Sequence, residues 1–303
     1  MSSTAPSDPR PPDPLQNAPG STDGPSASLA GLRAEIDRLD DAIHDLLMAR
    51  ADVVAQVATQ GGKGRVALRP GREAGILRRL LRRNRGNLPR RGVVRVWREL
   101  LAATTWIQGP YAITACDADA GAGYAQCARE HFGALTPLRV YRSPAQAIAE
   151  VGAGTATAAV LPLPAEAEAQ PWWPSLLHRA DPRIHVVARL PFWGPRTEGA
   201  PRVQAFVVAA VPPDPSGEDR SLITLELPPG QSRARLSAAL SAAGFSLGGT
   251  LLLRDPRMPV AQALVDVDGF VTDDDPRLAA LADVLRPPVV LGAYALPMEG
   301  DTA

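Results

Sequence analysis

The chain has 303 residues, with 32 basic and 32 acidic side chains and a formal net charge of zero. That length calls for two or three domains rather than one, and the charge balance excludes a chain that is basic throughout, as a general nucleic-acid binder would be. Hydrophobic residues at 45% and charged residues at 21% suit a soluble protein with a sizeable core.

Residues 1–27 are rich in Pro, Ser and Asp and have no basic segment followed by an apolar one. They read as a disordered tail and not as a signal peptide. From Leu29, apolar residues at 32, 36, 39, 43, 46, 53 and 57 recur at steps of three, four and seven. This spacing predicts an amphipathic helix about thirty residues long, with Ser28 as N-cap. Gly61, Gly62 and Gly64 stop it. A second helix follows Pro70 with Ile76, Leu77, Leu80 and Leu81 on its apolar face, and 86–89 ends it. A third runs over 90–107 with Val93, Val94, Trp97, Leu100, Leu101 and Thr104 inward. One long helix and two short ones do not close a core alone, so a helical homodimer is expected.

After Pro110 the texture changes. Short apolar runs at 111–115, 138–141, 157–163, 184–190 and 203–211 alternate with predicted helices at 123–132 and 143–151. This is an α/β pattern. The Pro-rich stretch 211–219 reads as a linker. Beyond it the predicted order is strand 222–227, helix 232–243, strand 250–254, strand 261–267, helix 276–285 and strand 289–294. That βαββαβ order is ferredoxin-like. The expected organisation is a tail (1–27), a helical domain (28–109), an α/β domain (110–217) and a ferredoxin-like domain (218–298).

The chemistry concentrates on the three helices. Counting in sevens from Leu29 puts Arg50 on the apolar seam of the first helix, where a charge is costly unless paired, and Arg33 lies beside the same seam. Glu73 shares the face of Ile76 and Leu77. On the third helix Val94, Trp97, Leu101, Thr104 and Gln108 share one face. Two arginines, a glutamate, a threonine and a glutamine pointing inward suit a small anion that bears carboxylates and a hydroxyl, with arginine gripping carboxylates bidentately. A structural polar network between subunits is the alternative reading. Residues 65–98 hold twelve arginines and one acid, Glu73. With no interleaved aromatics, the cluster reads as steering for an anion plus a solvated outer face that includes Arg78-Arg79 and Arg82-Arg83.

The stretches LRAEIDRLDDAIHDLLMARADVVAQVA, RPGREAGILRRL and WRELLAATTWIQ resemble the all-helical class of chorismate mutases. The resemblance implies a cofactor-free Claisen rearrangement of chorismate to prephenate, catalysed by positioning and electrostatics, in a cytoplasmic homodimer. It assigns the substrate's carboxylates to Arg50 and to Arg33 of the partner subunit. Arg72 and Glu73 match the family's Arg-Glu pair, with Glu73 accepting from the ring hydroxyl. Gln108 falls beside the ether oxygen and Thr104 one turn earlier. The family's catalytic lysine aligns with Gly61, two residues before Lys63, the only lysine in the chain, which is the candidate to replace it. Arg69 stands where the family often has an acid. No metal, membrane or nucleic-acid partner is implied.

The order of parts also resembles chorismate mutase–prephenate dehydratases, which end in an ACT domain. The dehydratase motifs are altered: Pro-Ile-Glu-Asn-Ser becomes residues 161–166 (LPLPAE), and Thr-Arg-Phe becomes Val203-Gln204-Ala205. Dehydratase activity is therefore not expected. The ACT effector motifs are altered to Gly230-Gln231-Ser232 and 253–256 (LRDP). Because of the gap at Gly61, a non-catalytic regulator that binds a pathway metabolite is the alternative to a mutase. An intact bifunctional enzyme is a further one.

Overall fold

The computed structural model describes residues 28–300 except 61–67, 119–120, 122, 167, 169–170, 178–180, 197, 229, 255–259 and 282–284. The expected N-terminal tail, Gly61, Lys63 and part of the 253–256 motif lie outside the described residues. The chain divides into two compact units between Asp52 and Val53.

Helix α1 (Leu29–Gln60) contains the division. None of its side chains is buried, and its apolar stripe is open: Ile36 is 56% and Ile43 54% exposed. The Ser28 hydroxyl caps its start, accepting from the Gly31 amide at 3.1 Å.

In the second unit, α2 (Pro70–Arg83) and α3 (Arg90–Trp106) precede β1 (Ile113–Cys116), α4 (Tyr124–Phe132), β2 (Leu138–Tyr141), α5 (Pro144–Gly152) and β3 (Ala158–Pro162). Then come β4 (His185–Leu190), β5 (Trp193–Gly194), β6 (Ala205–Ala209), β7 (Asp219–Leu227), α6 (Arg233–Ala242), β8 (Leu247–Leu253), β9 (Ala261–Asp268), α7 (Pro276–Ala279), β10 (Val289–Ala295) and β11 (Met298–Glu299). Every element expected from the sequence is found within a few residues of its place. The helix expected over 276–285 is the exception, ending at Ala279.

Nine strands form one sheet in the order β2-β1-β3-β6-β4-β10-β7-β9-β8. Strand β1 is parallel to β2 and β3, as the helical crossovers α4 and α5 require. Strands β10, β7, β9 and β8 are antiparallel neighbours. The expected α/β and βαββαβ segments thus share a sheet, joined where Gly292 of β10 pairs with Val186 of β4. Gly292 has φ +148, and a Cβ there would collide with the Val186 carbonyl; only glycine lets the two strands approach. Fully buried runs such as 158–161 and 205–209 fit strands covered on both faces. Trp172 and Trp173 are buried against this sheet, with the Trp172 indole donating to the Pro162 carbonyl at 2.9 Å.

Two expectations are corrected here. The stretch 211–219 is not a free linker. Asp214 binds the start of α2, and Asp219 opens β7 while accepting from the amides of Ser216 and Gly217. Nor is Arg78 part of a solvated face. It is 6% exposed and donates to the carbonyls of Ser216, Glu218 and Leu296. The reason is packing. The apolar faces of α2 and α3 are covered by the C-terminal part, Ala74 and Leu77 by Phe192 and Ala295, and Leu81, Val93 and Val94 by Trp193 and Met298. Arg78 sits one residue after the buried Leu77 and so enters the seam.

Candidate active site

Arg33 and Arg50 both lie on α1, Arg33 exposed and Arg50 half-buried. Seventeen residues at 1.5 Å rise separate them by about 25 Å along the axis. A single small anion cannot bridge that distance. One helix therefore supplies either arginine to a site, but not both.

The start of α2 is held by Asp214. Its carboxylate accepts from the Gly71 and Arg72 amides, both at 3.0 Å, and from Arg69 Nε at 3.1 Å. The helix has no side-chain cap at its own N-cap residue, Arg69, so an acid from the distant loop satisfies the open amides and meets the positive end of the helix. Gly71 is required there, since a Cβ would collide with the Asp214 backbone. The backbone of Arg72 is thereby fixed, and its side chain is exposed.

Glu73 turns inward. It accepts from Arg98 Nη1 of α3 at 2.9 Å, and the two side chains are 17% and 5% exposed. Burial pushes the Glu73 carboxyl up, and the Arg98 charge opposes that push. Arg98 also lies 4.9 Å from the centre of the Phe192 ring, a cation–π distance. The pair is backed by Tyr111, which is buried, its hydroxyl pushed well up by burial and by the Glu73 charge. Arg98 uses only one Glu73 oxygen, and a carboxylate has about four lone-pair sites. Glu73 thus retains capacity to accept from a hydroxyl.

Thr104 is buried on α3, its hydroxyl donating to the Leu100 and Leu101 carbonyls at 2.8 and 3.2 Å. Gln108 follows the end of α3, partly buried, its amide bonded to the Thr105 carbonyl. Arg72 and Glu73 therefore share one helix end, and Glu73 is joined to α3 through Arg98. Arg33 and Arg50 belong to the other unit, and Lys63 lies outside the described residues. Among the described residues, no group of three or more His, Cys, Asp or Glu is placed to hold a metal ion, and no helix is long and apolar enough to cross a membrane.

Two residues escaped the sequence reading. Arg98 had a signal, because it is four residues from Val94 and three from Leu101, on the face already identified as inward. Asp214 had none, since its role depends on a contact more than 140 positions away in sequence.

Comparison with known proteins finds a family match over the same helices. The family Chorismate mutase type II matches residues 32–109. A bifunctional chorismate mutase/prephenate dehydratase of Pseudomonas aeruginosa is 33% identical over 129 residues, covering 41% of this chain and 34% of the relative. The match thus spans about a third of that relative's length. Among solved structures, a quorum quenching acylase, GqqA, is 17% identical at a TM-score of 0.45 over 60% of this chain and 94% of its own. The prephenate dehydratase of Streptococcus mutans is 16% identical at 0.44 over 62% and 98%. Scores this low carry no weight for fold or function. The helical stretch 32–109, which holds Arg33, Arg50, Arg72, Glu73, Thr104 and Gln108, matches the Chorismate mutase type II family and is followed by an α/β region.

Proposed function

We propose that the chain is a chorismate mutase that works as a homodimer. The observation that carries this reading is the family match over the very helices whose arginines and inward glutamate suit a hydroxylated dicarboxylate. The 25 Å between Arg33 and Arg50 supports a site assembled from two chains, with Arg50 from one protomer and Arg33 from its partner. The exposed stripe of α1 is the surface on which the copies associate. Arg50, Arg33 and Arg72 take the carboxylates and hold the substrate in a folded, near-attack shape. Glu73, steadied by Arg98, accepts from the ring hydroxyl. Gln108 and Lys63 donate to the ether oxygen as negative charge develops there, and Thr104 lines the same end. The rearrangement is intramolecular and passes through no covalent enzyme intermediate.

Residues 218–298 are read as an ACT-like domain, supported by the antiparallel order β10-β7-β9-β8 with α6 and α7 as connections. Prephenate dehydration is not expected. Gln204, at the place of the altered Thr-Arg-Phe motif, accepts from Arg189 at 3.0 Å. The bifunctional relative keeps the contrary outcome in view.

The test is loss of chorismate absorbance with the purified chain, with prephenate and phenylpyruvate assayed separately. Turnover is expected and should be abolished in Arg50→Ala. Lys63→Ala should lower it by about 10²–10³-fold, as loss of one donor to a developing oxyanion does. Sedimentation should give about twice the 31.9 kDa of one chain. Chorismate binding without turnover would favour the regulator reading, for which the glycine at position 61 is the motive. Phenylpyruvate formation would restore the dehydratase.

A further inference from the structure

Arg72 and Glu73, the two residues of α2 that the mutase reading gives to the substrate, stand in the first turn of that helix, where helices fray most readily. That turn has little to hold it by itself. Pro70 has no amide proton, Gly71 loses more backbone freedom on folding than any other residue type, and Arg69 supplies no side-chain cap. The Glu73 amide bonds to the Arg69 carbonyl at 3.0 Å, which leaves the amides of Gly71 and Arg72 open. Asp214 takes both, and its side chain is only 11% exposed. The fit is close, since a Cβ at position 71 would lie 2.0 Å from the Asp214 carbonyl oxygen. The turn that carries Arg72 and Glu73 is thus fixed by an acid outside residues 32–109.

A second support comes from the loop after β4. Phe192 is buried against Ala74, the residue after Glu73, and its carbonyl accepts from the Met298 amide at 2.7 Å. Its ring centre lies 4.9 Å from the Arg98 guanidinium, which in turn donates to Glu73 at 2.9 Å. We propose that the chain beyond the helical domain is a working part of the mutase site, with Asp214 a positioning residue for Arg72 and Glu73, and Phe192, through Arg98, a positioning residue for the Glu73 carboxylate. The inference rests on the mutase reading. It gives the α/β part a role that needs no dehydratase chemistry, holding the substrate-facing turn of α2 in place. Asp214 also acts on Glu73 by its charge: burial raises the Glu73 carboxyl, the Arg98 charge lowers it, and the Asp214 charge raises it again. Tyr111 beside them is neutral, its hydroxyl pushed well up.

The proposal is tested on the full chain by chorismate turnover, with kcat and KM measured for each variant below its melting temperature. Asp214→Ala should lower kcat/KM by about 10–10²-fold, the scale of a reacting geometry misplaced by about 1 Å. Asp214→Asn, which keeps one carbonyl oxygen for an amide, should lose less, and the acid limb of its kcat/KM profile should move to lower pH because the charge that raises Glu73 is gone. Gly71→Ala should also lower kcat/KM, although alanine is the better helix former, because its Cβ drives Asp214 away. Phe192→Leu should cost severalfold. Val267→Ala, in the separate core of β7, β9 and α6, should lower the melting temperature and leave kcat/KM within about twofold, as a merely structural change does. Wild-type kcat/KM in both Asp214→Ala and Gly71→Ala overturns the proposal and leaves the mutase reading standing. So does a loss in Val267→Ala equal to that in Asp214→Ala. If Asp214→Ala fails to fold, wild-type kcat/KM in Gly71→Ala together with an unmoved acid limb in Asp214→Asn overturns it. If the wild type binds chorismate without turnover, the same comparisons are made on calorimetric affinity; neither turnover nor binding ends both readings.

Discussion

Replacing Arg78 by methionine removes one of the polar contacts that fasten α2 to the C-terminal part of the chain, the other being Asp214 at the start of the helix. The guanidinium is 6% exposed. It donates to the Ser216 hydroxyl at 2.8 Å and to three carbonyls, Leu296 at 2.9 Å, Glu218 at 3.1 Å and Ser216 at 3.3 Å. The contact of Nε with the Glu218 carboxylate at 3.5 Å adds little, because Glu218 is 62% exposed and screened by water. Methionine fills the apolar volume but offers no donor, so several acceptors lose their partner together. At about 1 kcal/mol for each strong bond, with the charge of the donor raising that value, the loss is about 3–5 kcal/mol. Against a usual total of 5–15 kcal/mol this is a large fraction. Urea unfolding followed by circular dichroism should show a lower midpoint with an unchanged slope. Arg78→Lys should recover only part of the loss, since an ammonium cannot reach both sides of the groove. A loss below about 1 kcal/mol in Arg78→Met would refute the docking argument, because it would mean that the acceptors rehydrate without cost.

Breaking the buried Glu73–Arg98 pair from one side should be severe: Arg98→Met alone should cost about 3–5 kcal/mol, and the double variant with Glu73→Gln distinctly less. A double variant as unstable as the sum of its singles would show that the two groups are not coupled. Both cysteines should resist an aromatic disulfide reagent in the native state near pH 8 and react fully after denaturation. Cys116 and Cys127 are buried, and burial pushes the Cys127 thiol up to about 11; rapid native labelling would contradict this. Burial and the neighbouring Arg183 charge lower His185 from 6.5 to about 4. Below pH 6.5 the unfolded chain therefore takes a proton that the fold refuses, and stability must fall as pH drops from 6.5 towards 4. His185→Gln should flatten that part of the melting-temperature profile, and an identical profile in the variant would exclude His185 as its source.

Much of this architecture is written in local pattern. The stripe of α1 has the helical period, and three glycines follow it in the sequence. Strand runs such as 158–161 and 205–209 are apolar and bounded by turn residues, so period and punctuation located them. The helix expected over 276–285 is the informative failure. Its apolar spacing continues past Ala279, but among the described residues of that stretch only Leu278 and Leu281 find a place in the core, and the helix ends after one turn. The inward turn of Glu73 was legible because a charge on an apolar face stands out against its neighbours. Asp214 and Arg78 were not, because an aspartate among prolines and an arginine among arginines look solvated until a distant partner is known.

Composition and periodicity set the helical and α/β segments, since each depends on residues within a few turns of one another, and the stretches within 32–109 carry the family match. The tertiary structure decided which charges are committed and which are available. Asp214 closes the start of α2, Arg98 takes one Glu73 oxygen, and Arg78 serves the 216–218 loop. Arg196 pairs with Glu130 and, among the described residues, finds no acceptor for Nε or Nη2. These outcomes depend on which backbone and side-chain groups lose water together. That is a property of surfaces brought into contact across more than a hundred residues, and no local period encodes it.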